Sequence, residues 1–222
     1  MSADRVIVNP LSGERITIRH PAAGDAVLDW ELELAPGGRV PSSHAHPGQE
    51  ERFTVLAGRM RFRVGGRRVL AGPGDTVVIP PGTVHHFANA SQRPARVAVQ
   101  TTPALNMQDL LETAAALAQR QHAATGRIRL LLPAPLQRLV PRQLPSPAGL
   151  ALFMRDFERE VQAPYLPRRL VRAVTGGVAW LARRTGLDRS YNRCANTTQP
   201  GDARDTGTPS GEAVPVSDPQ RG

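Results

Sequence analysis

The 222 residues carry 28 basic and 19 acidic side chains, every basic residue is arginine, and there is one cysteine, Cys194, so no intrachain disulfide can form. The N-terminus lacks the apolar core of a secretory leader, and no stretch approaches the roughly 18 uncharged apolar residues of a membrane span, so a soluble cytoplasmic protein is expected. The net charge of +9 is uneven: residues 1–126 hold 13 Arg and 11 acids, residues 127–189 hold 12 Arg and 4, and residues 190–222 hold 3 Arg and 4.

In chain order, the first hundred residues read as short strands. ERITIR alternates Ile16 and Ile18 with charged neighbours, and VLDWELEL alternates Leu28, Trp30, Leu32 and Leu34 with Asp29, Glu31 and Glu33. A period of two marks a half-buried strand. RMRFRV sets Arg59, Arg61 and Arg63 on a solvated face against Met60, Phe62 and Val64, and Gly65-Gly66 then predicts a hairpin turn leading into a strand at Val69 and Leu70. TVVI, closed by Pro80-Pro81-Gly82, and the alternation of Val97, Val99 and Thr101 complete the pattern. Closely spaced strands with Gly/Pro turns predict an antiparallel sandwich or barrel.

After Pro103 the period becomes helical. Asn106 is the predicted N-cap of a helix through Met107, Leu110, Leu111, Ala114 and Leu117 that stops at Gly126. A proline-broken stretch from Leu132 to Pro147 follows. A second helix runs through Leu150, Phe153, Met154, Phe157 and Val161, and a third through Arg168–Arg184. The third helix places Leu170, Val171, Val174, Val178 and Leu181 on one face and arginines on the other. Such a helix can lie on an anionic membrane, but packing of its apolar face on the barrel or the preceding helix is the favoured expectation. From about Ala195 there is almost nothing to bury, which predicts disorder.

The polar residues that share a face with apolar ones are the informative ones. His44 and His46 are two apart and project together from an extended segment. On the next strand Glu51 shares its side with Phe53, Val55 and Ala57, so Glu51 goes inside and Glu50 and Arg52 go out. His85 shares a side with Phe87 and is buried with it, while His86 faces away. Burying such groups without partners costs several kcal/mol in total, and a shared cation resolves that cost. Imidazoles with one carboxylate suit Fe, Mn, Ni, Cu or Zn.

Gly38 to Gly58 reads G-x5-H-x-H-x4-E-x6-G, and Gly74 to Asn89 reads G-x5-P-x-G-x2-H-x3-N. These resemble the two motifs of the cupin superfamily, with every fixed position present. The resemblance covers roughly residues 5–102 and implies a mainly β fold, a double-stranded β-helix or jelly-roll barrel. It also implies His44, His46, Glu51 and His85 as ligands of one divalent transition metal, turns at Gly74-Asp75 and Pro80-Pro81-Gly82, and a structural role for Asn89. The expected organisation is a cupin barrel over residues 1–104, a basic α-helical extension over 105–191 and a disordered tail over 192–222.

The expected function is that of a metal-binding, dioxygenase-like enzyme acting on a small organic molecule such as an aromatic or diketone compound. Isomerase or decarboxylase chemistry is left open. Resemblance to quercetinase-like cupins implies that Glu51 can double as a base. Phe53, Phe62 and Phe87 are pocket candidates that also suit the core. The alternative is a non-catalytic small-molecule binding or sensor cupin whose metal site is structural or vestigial. Cupins commonly pair their sheets, which implies a homodimer. No helix-turn-helix is recognisable, and no nucleic-acid partner is expected.

Overall fold

Residues that alternate in the sequence alternate in exposure. The computed structural model describes residues 5–20, 26–40, 43–131, 147–164, 167–186, 188–189 and 191. The strands are β1 (Arg5–Asn9), β2 (Glu14–His20), β3 (Leu28–Leu34), β4 (Glu50–Ala57), β5 (Met60–Val64), β6 (Arg67–Ala71), β7 (Thr76–Ile79), β8 (His85–Asn89) and β9 (Ala95–Thr102). Among the described residues three helices follow: α1 (Met107–Leu131), α2 (Pro147–Asp156) and α3 (Arg168–Thr185). The proline-broken stretch and the predicted disordered tail, Cys194 included, lie outside the described residues.

All strand pairs are antiparallel. One sheet has the order β1-β2-β3-β9-β4-β7 and the other β6-β5-β8. Arg39 and His44 each bridge to β8, at Ala88 and His85. In β3, Leu28, Trp30, Leu32 and Leu34 are buried while Asp29, Glu31 and Glu33 are half-buried. Phe53, Val55, Met60, Phe62, Ile79, Phe87, Val97 and Val99 join them in one core. Each fully buried Leu or Phe contributes about 1.5–3 kcal/mol. The outer ion pairs of Glu31 with Arg19 and Arg96 are partly exposed, and such pairs are each worth under about 1 kcal/mol. The inward face therefore sets the strand register.

Two turns depend on glycine. The β5–β6 hairpin turns on Gly65 and Gly66, at φ of 53° and 89°, the doubly positive pair its sequence predicts. Gly58, at φ 78°, joins β4 to β5, and a Cβ added there would stand 2.9 Å from both Cα and Cβ of Ala95. Asn89 is structural: its amide donates to the carbonyls of Leu34, Ala35 and Arg93, and its oxygen accepts from the amide and hydroxyl of Ser91.

The helices depart from expectation in four places. α1 continues past Gly126 to Leu131. Asn106 takes the expected N-cap position, its carbonyl accepting from Leu110 N–H at 2.9 Å, but its side-chain amide is turned to Glu160 and donates to it. α2 stops at Asp156, so Phe157 and Val161 fall outside it. The apolar stripe expected to be buried on α3 is largely outward: Leu170, Val174 and Leu181 are all more than half exposed. The packed side of α3 is instead built on Ala179 and Ala182, because small residues admit the close approach of α2. α1 docks on β1 through Leu110 and Ala115, an Arg5–Glu112 ion pair of 2.7 Å and a Gln119 hydrogen bond to the Val8 carbonyl. No helix among the described residues is long and apolar enough to cross a membrane.

The glycine geometry makes a direct prediction. Gly58→Ala carries about 1–2 kcal/mol of backbone strain from φ alone, plus the collision with Ala95. Gly66→Ala, with nothing near its added Cβ, carries the backbone strain only. Urea unfolding should show the larger loss of midpoint for Gly58→Ala.

Candidate metal centre

Three local structures converge on one point. The extended segment at His44 and Ala45 pairs with the start of β8, with hydrogen bonds His44 N–H to His85 O at 3.1 Å and His85 N–H to His44 O at 2.8 Å. His44 and His85 therefore face each other directly, with ring centroids 4.4 Å apart. His46, two residues on, falls on the same side, 5.0 Å from His44 and 5.3 Å from His85. The ligand atoms of the three imidazoles all lie within 4.8 Å of one another. Glu51 arrives from β4 in the facing sheet, its Oε2 standing 3.1 Å from His85 Nε2 and 3.3 Å from His46 Nε2. Thus the four residues singled out from sequence, His44, His46, Glu51 and His85, come together.

His46, Glu51 and His85 are buried, while His44 is half-buried and forms the more open side of the cluster. The Pro80-Pro81-Gly82 turn is tied in by a 2.7 Å hydrogen bond from Gly82 N–H to the His46 carbonyl. Glu50 and Arg52 point away and touch each other at 3.4 Å. His86 also faces away and meets the Ser43 hydroxyl at 3.1 Å.

The hydrogen bonds on the far side of the rings determine what the cluster can hold. His85 Nδ1 donates to the Thr83 carbonyl at 3.0 Å, and His46 Nδ1 donates to the Glu160 carbonyl. A carbonyl can only accept, so each neutral ring carries its proton at Nδ1 and presents Nε2 bare. Two bare nitrogens then face a carboxylate oxygen at little more than 3 Å. Glu51 Oε2 and His85 Nε2 are both buried without a well-directed hydrogen-bond partner. Such a group of lone pairs requires a positive centre. With protons alone, burial disfavours both charged forms, but mutual attraction and hydrogen bonding outweigh it. His46 is held above the ordinary imidazole range, and Glu51, which also faces His85, well below the ordinary carboxylate range. A divalent cation meets the same requirement with all three rings neutral, and Nδ1–H bonds to carbonyls are the outer contacts that orient metal-binding imidazoles. The donor set fits a borderline transition metal.

The three pocket candidates pack as a trio in the interior, with ring centroids 5.4 Å apart for Phe53–Phe62, 5.1 Å for Phe53–Phe87 and 5.9 Å for Phe62–Phe87. Phe53 follows Glu51, and Phe87 follows His85, by two residues on the same strand face. The trio thus lies one step further along the barrel than the polar cluster. A separate cavity of about 380 Å³ lies among Met154, Glu158, Gln162, Val171 and Arg172 of the helical extension, and no member of the polar cluster lines it.

Sequence reading missed Glu160, whose carbonyl orients His46, and Gln162, which exchanges backbone hydrogen bonds with Ala45 at 3.2 and 2.9 Å. It also missed Gln49, buried beside the cluster strand and donating to the carbonyls of Pro103 and Ala104. No motif marks these residues, because two of them act through backbone atoms and the third through a carbonyl contact more than fifty residues away.

Residues 30–101 match the family described as Cupin domain. A germin-like protein, subfamily T member 3, from Arabidopsis thaliana is 33% identical over 73 residues, 31% of this chain and 32% of that protein. The tetracenomycin polyketide synthase protein TcmJ of Streptomyces glaucescens is 32% identical over 72 residues, 32% of this chain and 48% of that protein. The chain thus spans about a third and about half of the lengths of these curated relatives. Among solved structures, TT1209 from Thermus thermophilus is 28% identical with a TM-score of 0.39, covering 43% of this chain and 87% of that one.

Replacing His85 with Ala removes one bare nitrogen from the centre of the cluster, and Glu51→Gln removes its negative charge. Outer contacts to metal ligands are worth about 10–100-fold in affinity, so loss of an inner group should cost at least about a hundredfold. Cobalt(II) titration of the purified full chain, followed by absorption, should show that loss in both variants. Wild-type affinity in His85→Ala would remove His85 from the site.

Proposed function

The chain carries a cupin domain over residues 30–101, and on that premise we propose that it is a metal-dependent enzyme acting on a small organic molecule that binds through oxygen. The metal would be held by His44, His46, His85 and Glu51. The observation that carries this reading is the meeting of two bare imidazole nitrogens and a buried carboxylate oxygen at 3.1 and 3.3 Å. A bound divalent transition metal supplies Lewis acidity to a chelating oxygen pair and, where redox-active, a path for electron density to dioxygen.

The remaining chemistry belongs to the chain. Glu51 is the one carboxylate of the cluster, so it is the group placed to take a proton from an acidic C–H or O–H of the bound molecule. His44, on the more open side, borders the approach from solvent. Phe53, Phe62 and Phe87 supply an apolar, water-excluding wall that suits a planar aromatic or enolised diketone. One relative is by name a polyketide synthase protein, which supports an oxygen-rich, enolisable substrate. Dioxygenase-like cleavage is the leading reaction for such a molecule at this site.

A second reading, binding without turnover, is favoured by the direct hydrogen bonding of the helical extension to the cluster segment. That connection suits a module in which occupancy of the barrel is passed to the helices.

Full-length protein loaded anaerobically with iron(II) distinguishes the readings when given pentane-2,4-dione or catechol as a probe. The expected result is a shifted absorption spectrum on binding, dioxygen uptake on exposure to air, and neither in Glu51→Gln. Binding without dioxygen uptake or product would select the non-catalytic reading. Failure of the metal-loaded protein to bind either probe by calorimetry would overturn the proposed oxygen-chelating ligand.

A further inference from the structure

We propose that the helical extension completes the metal centre, with Glu160 and Gln162 as positioning residues that hold His46. This rests on the metal-binding reading above. The two buried imidazoles are oriented by different parts of the chain. His85 is held by Thr83, within its own turn. His46 is held by the carbonyl of Glu160, 114 residues away.

That carbonyl is not an incidental neighbour, because the segment bearing it is pinned on every side that the described contacts reveal. Gln162 N–H donates to the Ala45 carbonyl at 2.9 Å and the Gln162 carbonyl accepts from Ala45 N–H at 3.2 Å, a two-way bridge to the residue between His44 and His46. Phe157 is buried in the barrel core and Val161 packs against it. The Glu160 side chain is 1% exposed, and its Oε1 accepts from the backbone and side-chain amides of Asn106 at 3.3 and 3.2 Å, just ahead of α1. A carboxylate is rarely buried so fully unless it is held by partners. Here it ties the start of α1 to the segment after α2 at the point where the Glu160 carbonyl must meet His46.

The same connection explains why α2 stops at Asp156. Phe157 through Glu160 turn, with Glu160 and Val161 N–H both bonded to the Phe157 carbonyl, so that the next residues can run extended beside Ala45. A helix continued through Val161, as its apolar spacing suggests, would keep the Gln162 backbone groups within the helix and away from Ala45.

The ring of His46 is therefore oriented only when the extension is docked. By linkage, metal binding and docking of residues 157–162 strengthen each other. Orienting contacts of this kind are worth about 10–100-fold in metal affinity.

The test is cobalt(II) titration of full-length wild type, Glu160→Ala, Glu160→Gln and Gln162→Pro. Alongside it, amide hydrogen exchange of wild type is measured with and without cobalt(II), and far-ultraviolet circular dichroism checks the barrel. Glu160→Ala and Gln162→Pro should bind cobalt(II) about 10–100-fold more weakly with the barrel spectrum retained. Glu160→Gln keeps an oxygen acceptor for Asn106 and should restore wild-type affinity, which a general loss of stability would not explain. Cobalt(II) should slow exchange across residues 157–162 in wild type, a readout that needs no variant to fold. If wild type binds cobalt(II) but exchange at 157–162 is unchanged, or Glu160→Ala and Gln162→Pro bind as tightly as wild type, the inference is overturned and the metal site stands. If wild type binds no cobalt(II), the metal-site reading itself falls, and this inference with it.

Discussion

A carboxylate inside an apolar barrel is costly unless a positive centre stands against it, and Glu51 is buried among the core strands. The rings that face it cannot both relieve it in their neutral forms, because His46 and His85 have committed their Nδ1 protons to the carbonyls of Glu160 and Thr83. This leaves an interior point where lone pairs converge and a proton or a metal ion must supply the charge. Several features of the surrounding fold serve to bring those lone pairs together and keep them there. The facing of the two sheets brings Glu51 across to His85, the bridge of His44 to His85 sets the ring spacing, and the turn at Gly82 holds the His46 carbonyl.

The apolar framework makes this costly arrangement stable. Phe53, Phe62 and Phe87 pack together beside the polar cluster, and strands β4 and β8 carry members of both, so the alternation that buries Phe53 or Phe87 also buries Glu51 or His85 two residues earlier. The polar cluster and the core are therefore coupled along β4 and β8. Disturbing the register of either strand would expose the aromatic residue and displace Glu51 or His85 in a single step.

The strands, the hairpin at Gly65-Gly66 and the inward side of each strand were legible in the sequence, since a period of two reports directly which residues meet the core. The choice of Glu51 over Glu50, and of His85 over His86, came from the same parity. The aromatic trio was legible as buried but not as a mutual contact. The helical extension was much less legible. Apolar spacing carried α2 on to Val161, yet the chain leaves the helix after Asp156 to bond Ala45, since backbone groups have no sequence signature for a distant partner. On α3 the large apolar residues suggested the buried face, but Ala179 and Ala182 are buried and Leu170, Val174 and Leu181 are largely exposed. Close packing against α2 selects small side chains, a preference that hydrophobicity alone does not report.

The sequence by itself determined the cupin-type β architecture, the two motifs and the four side chains that could share a cation, because each of these depends on local spacing along a strand or turn. Only the tertiary structure decided that His46 and His85 present bare Nε2 atoms to Glu51, and that one of those rings is oriented by the helical extension. Those facts depend on carbonyl oxygens and backbone amides. Every residue possesses these groups, so the side-chain sequence does not mark which of them will meet.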